Sequence, residues 1–528
     1  MTPSHPRLEG PLLRPAPVLS DLEGRLIAPA VEQALRVPPR KTLEFDRAKY
    51  RRAVAKGLFF LLAEGPTQTL AKYRAIAEEG RICRDQSIVV ASIVRGERQY
   101  VGLTRDLGGP LTFDTRLVFR AREPLDLTAL ELPERVLMLL ESYLPVPSCP
   151  VEPELPRLFL LSQPHLWPLS DDTELGLRDA APGRITRGAE IAALARQQKA
   201  RAGDSFPIYL FGHGGYARQY VERRFPGRIA AAVDYRAALM RRHLDVDYPI
   251  FPSADPLMGQ IARDVEPLVI ISTYHSDHAS MAFDVLEANP NARVFIQKPA
   301  AVDIADIERL VALRRKGAWI DVGFNRRHAP LTRWLKEKAD ALPRPLVISA
   351  LIKEVKIPET HWYLWSNQGT RVTGNLCHWM DLAYHLVGSP PVELTMLGSG
   401  DNASLAIVFD DGSIANILGT DRGDDLRGVE ERLEVRGGDT TLTVRDFRSA
   451  SERSGGSTRT KPGFRRRKGH AAMYADLRRR WLSGDDPSYP DADLYWTGYM
   501  TWHASRLMAT GRRSHRVALR PGLVASQR

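Results

Sequence analysis

The sequence predicts an α/β fold class: a doubly wound parallel sheet plus an α+β domain with a mainly antiparallel sheet, preceded by an α+β N-terminal region. From residue 206 onward, short apolar runs alternate with helical patterns, which is typical of a parallel sheet. After about residue 330, strand-like runs follow one another instead. Before residue 205, two helical patterns precede several strand-like runs.

The predicted elements follow from this patterning. In the N-terminal region we expect helices at 41–64, 67–80, 134–141 and 188–199, a short helix near 29–35, and strands at 87–94, 100–103, 116–120 and 157–161. The parallel-sheet domain has predicted strands at 208–211, 229–233, 268–272, 293–296 and 319–322, with helices at 216–225, 235–243, 277–288 and 303–316. The last domain has predicted strands at 346–352, 392–398, 404–409, 413–418, 432–435 and 440–444, and helices at 374–387 and 469–483.

Two loops are also predicted. A hairpin is expected to turn at Asp411-Gly412, and the segment 449–468, rich in Ser, Gly, Arg and Lys, is expected to be a mobile loop. We divide the chain into an extended or poorly ordered N-terminus (1–40), an α+β region of unassigned role (41–204), the parallel-sheet domain (205–329), the α+β domain (330–515) and a tail (516–528).

Composition narrows the class of protein. The chain has 528 residues, is 43% apolar and 26% charged, and so has the composition of a globular protein with several domains. Its three cysteines are far apart and form no Cys-x-x-Cys pair, so we expect neither a disulfide framework nor a bound metal. The apolar runs are too short to cross a membrane, and a cytoplasmic protein is expected.

The net charge of +11 raises the question of nucleic acid. Clusters of arginine and lysine occur at 465–468, 478–480 and 512–516, and we interpret them as solvated surface. Because the sequence has no helix-turn-helix, zinc finger or aromatic-basic pattern, a nucleic-acid partner is not expected.

Residues 208–217 combine an apolar run with a glycine-rich turn. Gly212 allows a tight turn off the strand, Gly214 lets the backbone approach a diphosphate, and Ala217 is small enough to pack on the strand. The helix that follows offers free N–H groups to an anion. Asp234 ends the next strand 22 positions after Gly212, close to the spacing at which a carboxylate meets a ribose 2′-hydroxyl. The pattern predicts a Rossmann domain that binds a dinucleotide.

The form of the cofactor stays open between NAD and NADP. Asp234 favours NAD, whereas Arg236, two residues later, is placed to meet a 2′-phosphate.

Four further motifs follow the glycine turn in order: Ile271-Ser-Thr-Tyr-His-Ser-Asp-His278, Gln297-Lys298-Pro299, Gly323-Phe-Asn-Arg-Arg327 and Gly374-Asn-Leu-Cys-His378-Trp-Met-Asp381. With these motifs, residues 206–510 resemble the glucose-fructose oxidoreductase / inositol dehydrogenase family of NAD(P)-dependent enzymes. The resemblance implies hydride transfer between nicotinamide and a hydroxyl or carbonyl of a sugar, nucleotide-sugar or polyol. We also expect a homo-oligomer formed through the C-terminal sheet.

A subgroup of that family is fused behind a zinc-type alcohol dehydrogenase module, and this chain looks like it. Segments around His361-Trp362, Cys377-His378 and Lys468-Gly-His470 recur in that subgroup, and 43–75 is similar to part of the leading module. The zinc ligands and the second glycine fingerprint are missing here. If the likeness reflects descent, the N-terminal part is a reduced remnant without zinc chemistry.

The resemblance implies that Lys298 and His378 are the catalytic residues. His378 is implied as the acid/base, although a histidine on a helix also fits simple burial. Lys298 follows a strand, at the sheet edge where open α/β folds bind ligands, and it is one of only 13 lysines. The implied cofactor contacts are Gly212, His213, Gly214, Gly215, Tyr216, Ala217, Asp234, Tyr235, Arg236, Thr273, His275, His278, Gln297 and Lys298.

The catalytic helix departs from the family pattern. Gly374 stands where the family carries an aspartate, four residues before His378, and Asn375 cannot accept a proton at neutral pH. This departure motivates a second hypothesis, a nucleotide-binding pseudoenzyme that acts as a sensor or scaffold. Predicted substrate contacts are Asn325, Arg326, Arg327, His361, Trp362, Asn375 and Asp381; an ordinary basic loop and core packing are the competing interpretations.

Overall fold

The structure is a computed structural model that describes residues 47–84, 87–95, 98–106, 112–121, 157–162, 165–168, 206–234, 240, 244–251, 254–356, 371–399, 402–424 and 426–516. The predicted N-terminal segment 1–40, the helices predicted near 29–35, 134–141 and 188–199, most of that at 235–243, and the tail after residue 516 lie outside these residues.

The N-terminal region contains two helices and an antiparallel sheet. The helices are α1, Arg47–Glu64, and α2, Pro66–Arg84, and Gly65 between them has a φ of +84°. The sheet has the order β3-β2-β1-β4-β5, and its strands are β1 Ser87–Arg95, β2 Arg98–Asp106, β3 Thr112–Ala121, β4 Arg157–Ser162 and β5 His165–Pro168. The α+β character predicted for this region is confirmed.

The central sheet has six parallel strands. They are β6 Ile208–Phe211, β7 Ile229–Val233, β8 Ile250–Phe251, β9 Leu268–Ile271, β10 Arg293–Gln297 and β11 Ile320–Gly323, in the order β8-β7-β6-β9-β10-β11. Their apolar runs are buried because helices cover both faces of such a sheet. The direction of chain progress reverses between β6 and β9, and open α/β sheets bind ligands at that point.

The helices of this domain differ from the prediction at 216–225 and at 255–261, where a helix forms that was not predicted. Helices α3 Asp255–Ile261, α4 His278–Ala288 and α5 Ile304–Arg315 are regular, and α4 and α5 lie where the sequence predicts them. The segment predicted as a helix over 216–225 is instead a π-helical turn, Ala217–Val221, followed by a 3₁₀ turn, Glu222–Arg224. It ends there because Phe225 precedes Pro226, and a residue before proline disfavours the α conformation.

The second domain is built on a nine-stranded sheet. Its order is β19-β18-β17-β16-β12-β15-β14-β13-β20, and every neighbouring pair is antiparallel except β12 and β15. The strands are β12 Val347–Lys353, β13 Pro391–Ser399, β14 Asn402–Phe409, β15 Ile414–Thr420, β16 Glu430–Gly437, β17 Thr440–Arg445, β18 Ser449–Ser454, β19 Ser457–Lys461 and β20 Ser514–Arg516. The mainly antiparallel sheet is therefore confirmed.

Two loop predictions have opposite outcomes. The hairpin through Gly412 is confirmed, since Gly412 has a φ of +80° and its N–H donates to Phe409 O at 2.9 Å. The mobile loop predicted at 449–468 is wrong, because β18 and β19 form a hairpin there on the edge of the sheet. Gly455 and Gly456 supply the two positive φ angles that its turn needs. The sequence predicted a loop here because an edge strand, like a loop, is rich in polar residues.

Helices join the two domains. They are α6 Pro330–Asp340, α7 Cys377–Val387, α8 His470–Ser483 and α9 Asp491–Thr510, of which α6 and α9 were not predicted. Tyr474 and Trp481 of α8 are fully buried in the core beside β6 and β9. Gly498 of α9 packs so closely on Ile307 of α5 that a Cβ would lie 2.7 Å from it. Of the helices that the structure describes, none is long and apolar enough to cross a membrane.

Candidate functional site

The glycine turn connects the ends of three parallel strands. Gly212 has a φ of +88°, and its N–H donates to Val233 O of β7 at 2.7 Å. A Cβ on Gly212 would lie 2.5 Å from Ser272 O, just after β9, so no other residue fits this position. By contrast, a Cβ on Gly214 would meet no atom within 4 Å. The turn is therefore rigid underneath and open above, which suits the close approach of a diphosphate.

His213 has its side chain in the interior. Its Nε2 lies 2.7 Å from Tyr248 Oη and 3.4 Å from Glu222 Oε1, and Tyr248 donates to the same carboxylate. Burial would raise the pKa of Glu222, but the hydrogen bonds of His213 and Tyr248 outweigh it and lower that pKa. The backbone N–H of His213 donates to Asp234 Oδ2 at 3.2 Å and so orients that carboxylate. The side chain of His213 thus stabilises the turn, and the backbone N–H of His213 orients the carboxylate of Asp234.

The other residues of the turn present an aromatic surface. The rings of Tyr216 and Tyr220 lie 5.1 Å apart, and Tyr474 of α8 donates to Tyr216 Oη at 3.2 Å. Ala217 is buried where the helical turn meets the sheet. Tyr235 and Arg236, the other predicted cofactor contacts near Asp234, lie outside the described residues.

The loop after β9 is held by His278. Its Nδ1 lies 2.7 Å from Pro299 O and its Nε2 3.2 Å from Thr273 O. Burial lowers the pKa of His278 to about 4, so the imidazole is neutral at pH 7. The ring of His275 lies 5.9 Å away. These buried side chains tie the loop to the turn after β10, and they place Thr273 beside Gly212.

The turn after β10 carries the predicted lysine. Gln297 donates to Tyr474 Oη at 2.6 Å, and the Lys298–Pro299 peptide bond is cis. The ammonium of Lys298 donates to Gly374 O at 2.6 Å. Lys298 therefore reaches from the parallel-sheet domain to the start of the helical segment that leads into α7.

His378 and Asn375 lie one turn apart on that segment. A π-helical turn, Val372–Leu376, precedes α7 and contains Asn375. Within the described part of the chain, His378 Nδ1 and Asn375 Oδ1 are buried and have no hydrogen-bond partner. Burial, and then the charges of Arg326 and Lys298, lower the pKa of His378 well below its usual value. Because buried polar atoms are normally paired, these two atoms are available to a bound ligand.

Arg327 and Asp381 form a buried ion pair between the domains. Arg327 donates to both carboxylate oxygens of Asp381 at 2.6–2.9 Å and also pairs with Asp493 of α9. Tyr489 donates to Asp381 Oδ1 at 2.6 Å, and the guanidinium of Arg327 lies 4.4 Å from the centre of its ring. These groups already satisfy one another, so this geometry favours a structural role for the two predicted substrate contacts.

Asn325 and Arg326 are also engaged within the protein. Asn325 donates to Lys468 O at 2.6 Å. Arg326 donates through Nε to Glu431 Oε1 at 3.1 Å, and Lys468 Nζ lies 2.7 Å from Glu431 Oε2. The two cations lower the pKa of Glu431 to about 2 against the effect of burial. Their charges reach His378, but their hydrogen bonds hold the loop before α8.

His470 belongs to this cleft but was not predicted as a site residue. Its ring stacks on Tyr220 at 4.0 Å, and burial, followed by the charges of Arg326 and Lys468, lowers its pKa to about 3. Gly469 before it has a φ of +92°, and a Cβ there would lie 2.0 Å from Asn325 O. In the sequence, only the resemblance drawn around Lys468-Gly-His470 pointed to this histidine.

The remaining predicted features are the His361-Trp362 segment, the cysteine next to His378 and the expected lack of a metal site. His361 and Trp362 are not among the described residues. Cys377, next to His378, is fully buried, and burial raises the pKa of its thiol to about 11. Within the described ranges, no group of three or more His, Cys, Asp and Glu side chains is placed to hold a metal ion.

Comparison with known proteins gives the same fold. No family model matches the chain. An uncharacterized oxidoreductase, YrbE of Bacillus subtilis, is 25% identical over 246 residues, which cover 43% of this chain and 70% of that protein. An oxidoreductase domain protein from Kribbella flavida is 17% identical, with a TM-score of 0.50, over 60% of this chain and 100% of that one. GenD2 from gentamicin A biosynthesis, solved in complex with NAD, is 17% identical, with a TM-score of 0.49, over 60% of this chain and 98% of its own.

YrbE and the Kribbella protein are both named as oxidoreductases, and the Kribbella structure shares the fold of a Rossmann domain followed by a mainly antiparallel sheet domain. About two fifths of this chain lies outside that likeness. The expected relation to a zinc-type fusion subgroup stays a prediction.

Proposed function

We propose that this chain is an NAD(P)-dependent oxidoreductase that transfers a hydride between nicotinamide and a hydroxyl or carbonyl of a sugar, nucleotide-sugar or polyol. The observation that carries the proposal is that Lys298, at the carboxyl edge of the parallel sheet, donates to Gly374 O in the segment that contains Asn375 and leads to His378. The substrate class comes from the resemblance to the sugar-converting family.

The residues present fit a dinucleotide. Gly214 leaves the open space above the turn that a diphosphate requires, and Asp234 offers a carboxylate, held by the His213 N–H, at the end of β7. Gly212 would hold the turn in shape, and Thr273 would line the part of the site that receives the nicotinamide ring. When bound, the nicotinamide accepts or supplies the hydride at its C4.

The protein's own groups manage the proton. Lys298 donates a hydrogen bond to the substrate oxygen and stabilises negative charge that develops on it. His378, which its lowered pKa keeps neutral at pH 7, accepts the hydroxyl proton at a ring nitrogen during oxidation. Asn375 holds a second hydroxyl through its amide. We assign a structural role to Arg326, Arg327 and Asp381 in place of the predicted substrate contacts. They hold the two domains in the arrangement that brings Lys298 to Gly374.

The experiment that tests this function combines cofactor binding with turnover. Fluorescence titration with NADH and NADPH measures binding, and a metabolite screen that follows cofactor fluorescence identifies the substrate. The Lys298→Ala, His378→Ala double variant is then expected to bind the cofactor but lose turnover. Full turnover by that variant would refute the assignment.

A pseudoenzyme that binds nucleotide as a sensor or scaffold is the second candidate. Gly374 favours the pseudoenzyme. The family resemblance implies an aspartate at this position, whereas Gly374 offers Lys298 only its backbone oxygen. Both functions require cofactor binding, and only the enzyme moves label from deuterated cofactor into a metabolite.

We further propose a homo-oligomer through the nine-stranded sheet. Strands β12 and β15 alternate exposed and buried residues, and their outer face presents Val347, Leu351, Ile414 and Leu418 to solvent. Sedimentation of the wild type against Leu351→Lys tests this: the variant is expected to sediment as a smaller species.

A further inference from the structure

A cavity of about 630 Å³ lies between the last turns of α9 and strand β20. This volume is in the range of pockets that hold small molecules. None of the residues predicted to bind cofactor or substrate belongs to its lining, which includes Trp502, His503, Arg506, Thr510, Arg512 and His515. Helix α9 also contacts the segment before α7, since Ser505 Oγ and Thr373 Oγ1 lie 2.7 Å apart. The cavity is therefore a second candidate site, on a helix that also packs against the first.

Two stacked histidines form one side of this cavity. The ring centres of His503 and His515 lie 3.6 Å apart, and their planes are within 17° of parallel. Tyr499 Oη lies 3.0 Å from His515 Nε2. His515 belongs to β20, where it pairs with Leu394 of β13. The stack thus ties α9 to the edge of the nine-stranded sheet and fixes both imidazole rings beside the cavity.

The lining of the cavity is basic and contains no carboxylate. Among the described residues, neither Arg506 nor Arg512 has a carboxylate partner, and the nearby Glu393 lies 4.0 Å from Arg516 instead. The guanidinium of Arg506 lies 4.7 Å from the centre of the Trp502 ring. The positive charges of these two arginines are therefore left without a neutralising group from the protein.

The other charges around the cavity are weaker. Burial, followed by the charges of His515 and Arg506, lowers the pKa of His503 to about 4, and burial lowers the pKa of His515. Both rings are therefore neutral at pH 7, and each retains one N–H that can donate. The C-terminal end of a helix such as α9 carries roughly half a negative charge, less than the two guanidinium charges together. The field in the cavity thus favours an anion.

We propose that this cavity binds the phosphate group of a small molecule. Arg506 and Arg512 would donate to the phosphate oxygens, because the planar guanidinium group matches phosphate in geometry as well as in charge. The Ser514 hydroxyl and an N–H of His503 are further donors in the lining, and the Trp502 ring offers an apolar surface to the rest of the molecule. The site does not depend on hydride transfer, and it adds a second ligand to the chain.

Isothermal titration calorimetry of the full chain with inorganic phosphate, at pH 7 and constant ionic strength, tests this site. The wild type is expected to bind, and Arg506→Met and Arg512→Met are each expected to weaken binding at least tenfold. Arg513→Met is the matched control, because it removes the same charge from an exposed neighbour outside the lining, and it is expected to bind as the wild type does. Ribose 5-phosphate is titrated in parallel, and the tighter probe tells whether the free ion or an ester is the ligand.

Unchanged phosphate affinity in folded Arg506→Met and Arg512→Met protein would overturn the proposal, as would a wild type that binds neither probe. An equal loss in Arg513→Met would also overturn it, because surface charge alone would then explain the binding. The titrations are repeated with saturating NADH, and a phosphate signal that disappears there would place the ion at the glycine turn and overturn the proposal. Failure to bind NADH or NADPH would instead refute the proposed function, and the comparison of the arginine variants would still decide this site.

Discussion

The ammonium of Lys298 donates a 2.6 Å hydrogen bond to the backbone carbonyl oxygen of Gly374. The bond joins the turn after β10 to the π-helical turn before α7, and so connects the parallel sheet to the helix of His378. Where the family resemblance implies an aspartate, this chain supplies a backbone acceptor. The lysine is therefore positioned by the main chain, and no proton can pass to that partner.

Replacing Lys298 by methionine removes the ammonium and keeps most of the side-chain volume. Turnover is expected to fall by about 10²- to 10⁴-fold, the usual contribution of a group that stabilises developing charge or moves a proton. NADH affinity is expected to change by less than about tenfold. Turnover is measured on the substrate from the metabolite screen, and Lys298→Met with wild-type turnover would show that the ammonium has no part in the reaction.

Gly214→Ala separates cofactor binding from stability. A Cβ at Gly214 meets no protein atom within 4 Å, so the melting temperature is expected to stay within a degree or two of the wild type. The methyl group would occupy the approach of a diphosphate, and NADH affinity is expected to fall at least tenfold.

The matched control is Gly259→Ala on helix α3, whose Cβ is also unhindered and which lies away from the turn. Gly212→Ala is expected to differ from both, because its Cβ would lie 2.5 Å from Ser272 O and the protein should lose stability. Equal NADH affinity in Gly214→Ala and Gly259→Ala would argue against a diphosphate at the turn.

Asp234 is expected to set the preference for NADH over NADPH. Its carboxylate is held by the His213 N–H at the end of β7, and a 2′-phosphate there would place two negative charges side by side. Asp234→Ser is expected to lower the ratio of NADH to NADPH affinity at least tenfold. Fluorescence titration of both cofactors measures the ratio, and tighter NADPH binding by the wild type would show that Asp234 does not set the preference.

Stability is expected to fall as the pH is lowered from about 6.5 to 4. Burial lowers the pKa of His278 to about 4 in the folded protein, while the unfolded chain titrates near 6.5. The unfolded state therefore binds the extra proton in this range, and the free energy of unfolding falls by about 1.4 kcal/mol per pH unit for this histidine. His385 and His470, whose pKa values are lowered to about 2 and 3, add to the effect.

Urea unfolding at several pH values measures the slope. Glutamine in His278→Gln can still donate to Pro299 O. Its free energy of unfolding is expected to fall less steeply with decreasing pH, by the slope that corresponds to the uptake of about one proton on unfolding. Parallel curves for wild type and variant would mean that His278 takes up its proton equally in both states.

The sequence predicted the parallel sheet and the glycine turn because their signals are local. Each buried strand is an uninterrupted apolar run, and Gly212 and Gly214 follow the first of them directly. Lys298 and His378 were predicted from ordered motifs, and the structure joins the elements that carry them through the hydrogen bond from Lys298 to Gly374 O.

The ion pairs of Arg326 and Arg327 could not be predicted from local sequence patterns. Their partners Glu431, Asp381 and Asp493 lie 54 to 166 positions away, and no local pattern marks such pairs. The β18–β19 hairpin was missed for another reason, since its polar composition is that of an edge strand and equally that of a loop.

Deuterium transfer tests directly whether this protein moves a hydride between nicotinamide and a sugar. The wild-type protein is incubated with NADH or NADPH labelled with deuterium at C4 and with candidate sugar carbonyl substrates, and the products are examined by mass spectrometry. We expect one deuterium at a carbinol carbon of the product, and a loss of this label in Lys298→Met protein that still binds the cofactor. A wild type that binds the cofactor and transfers no deuterium to any of these substrates would contradict it.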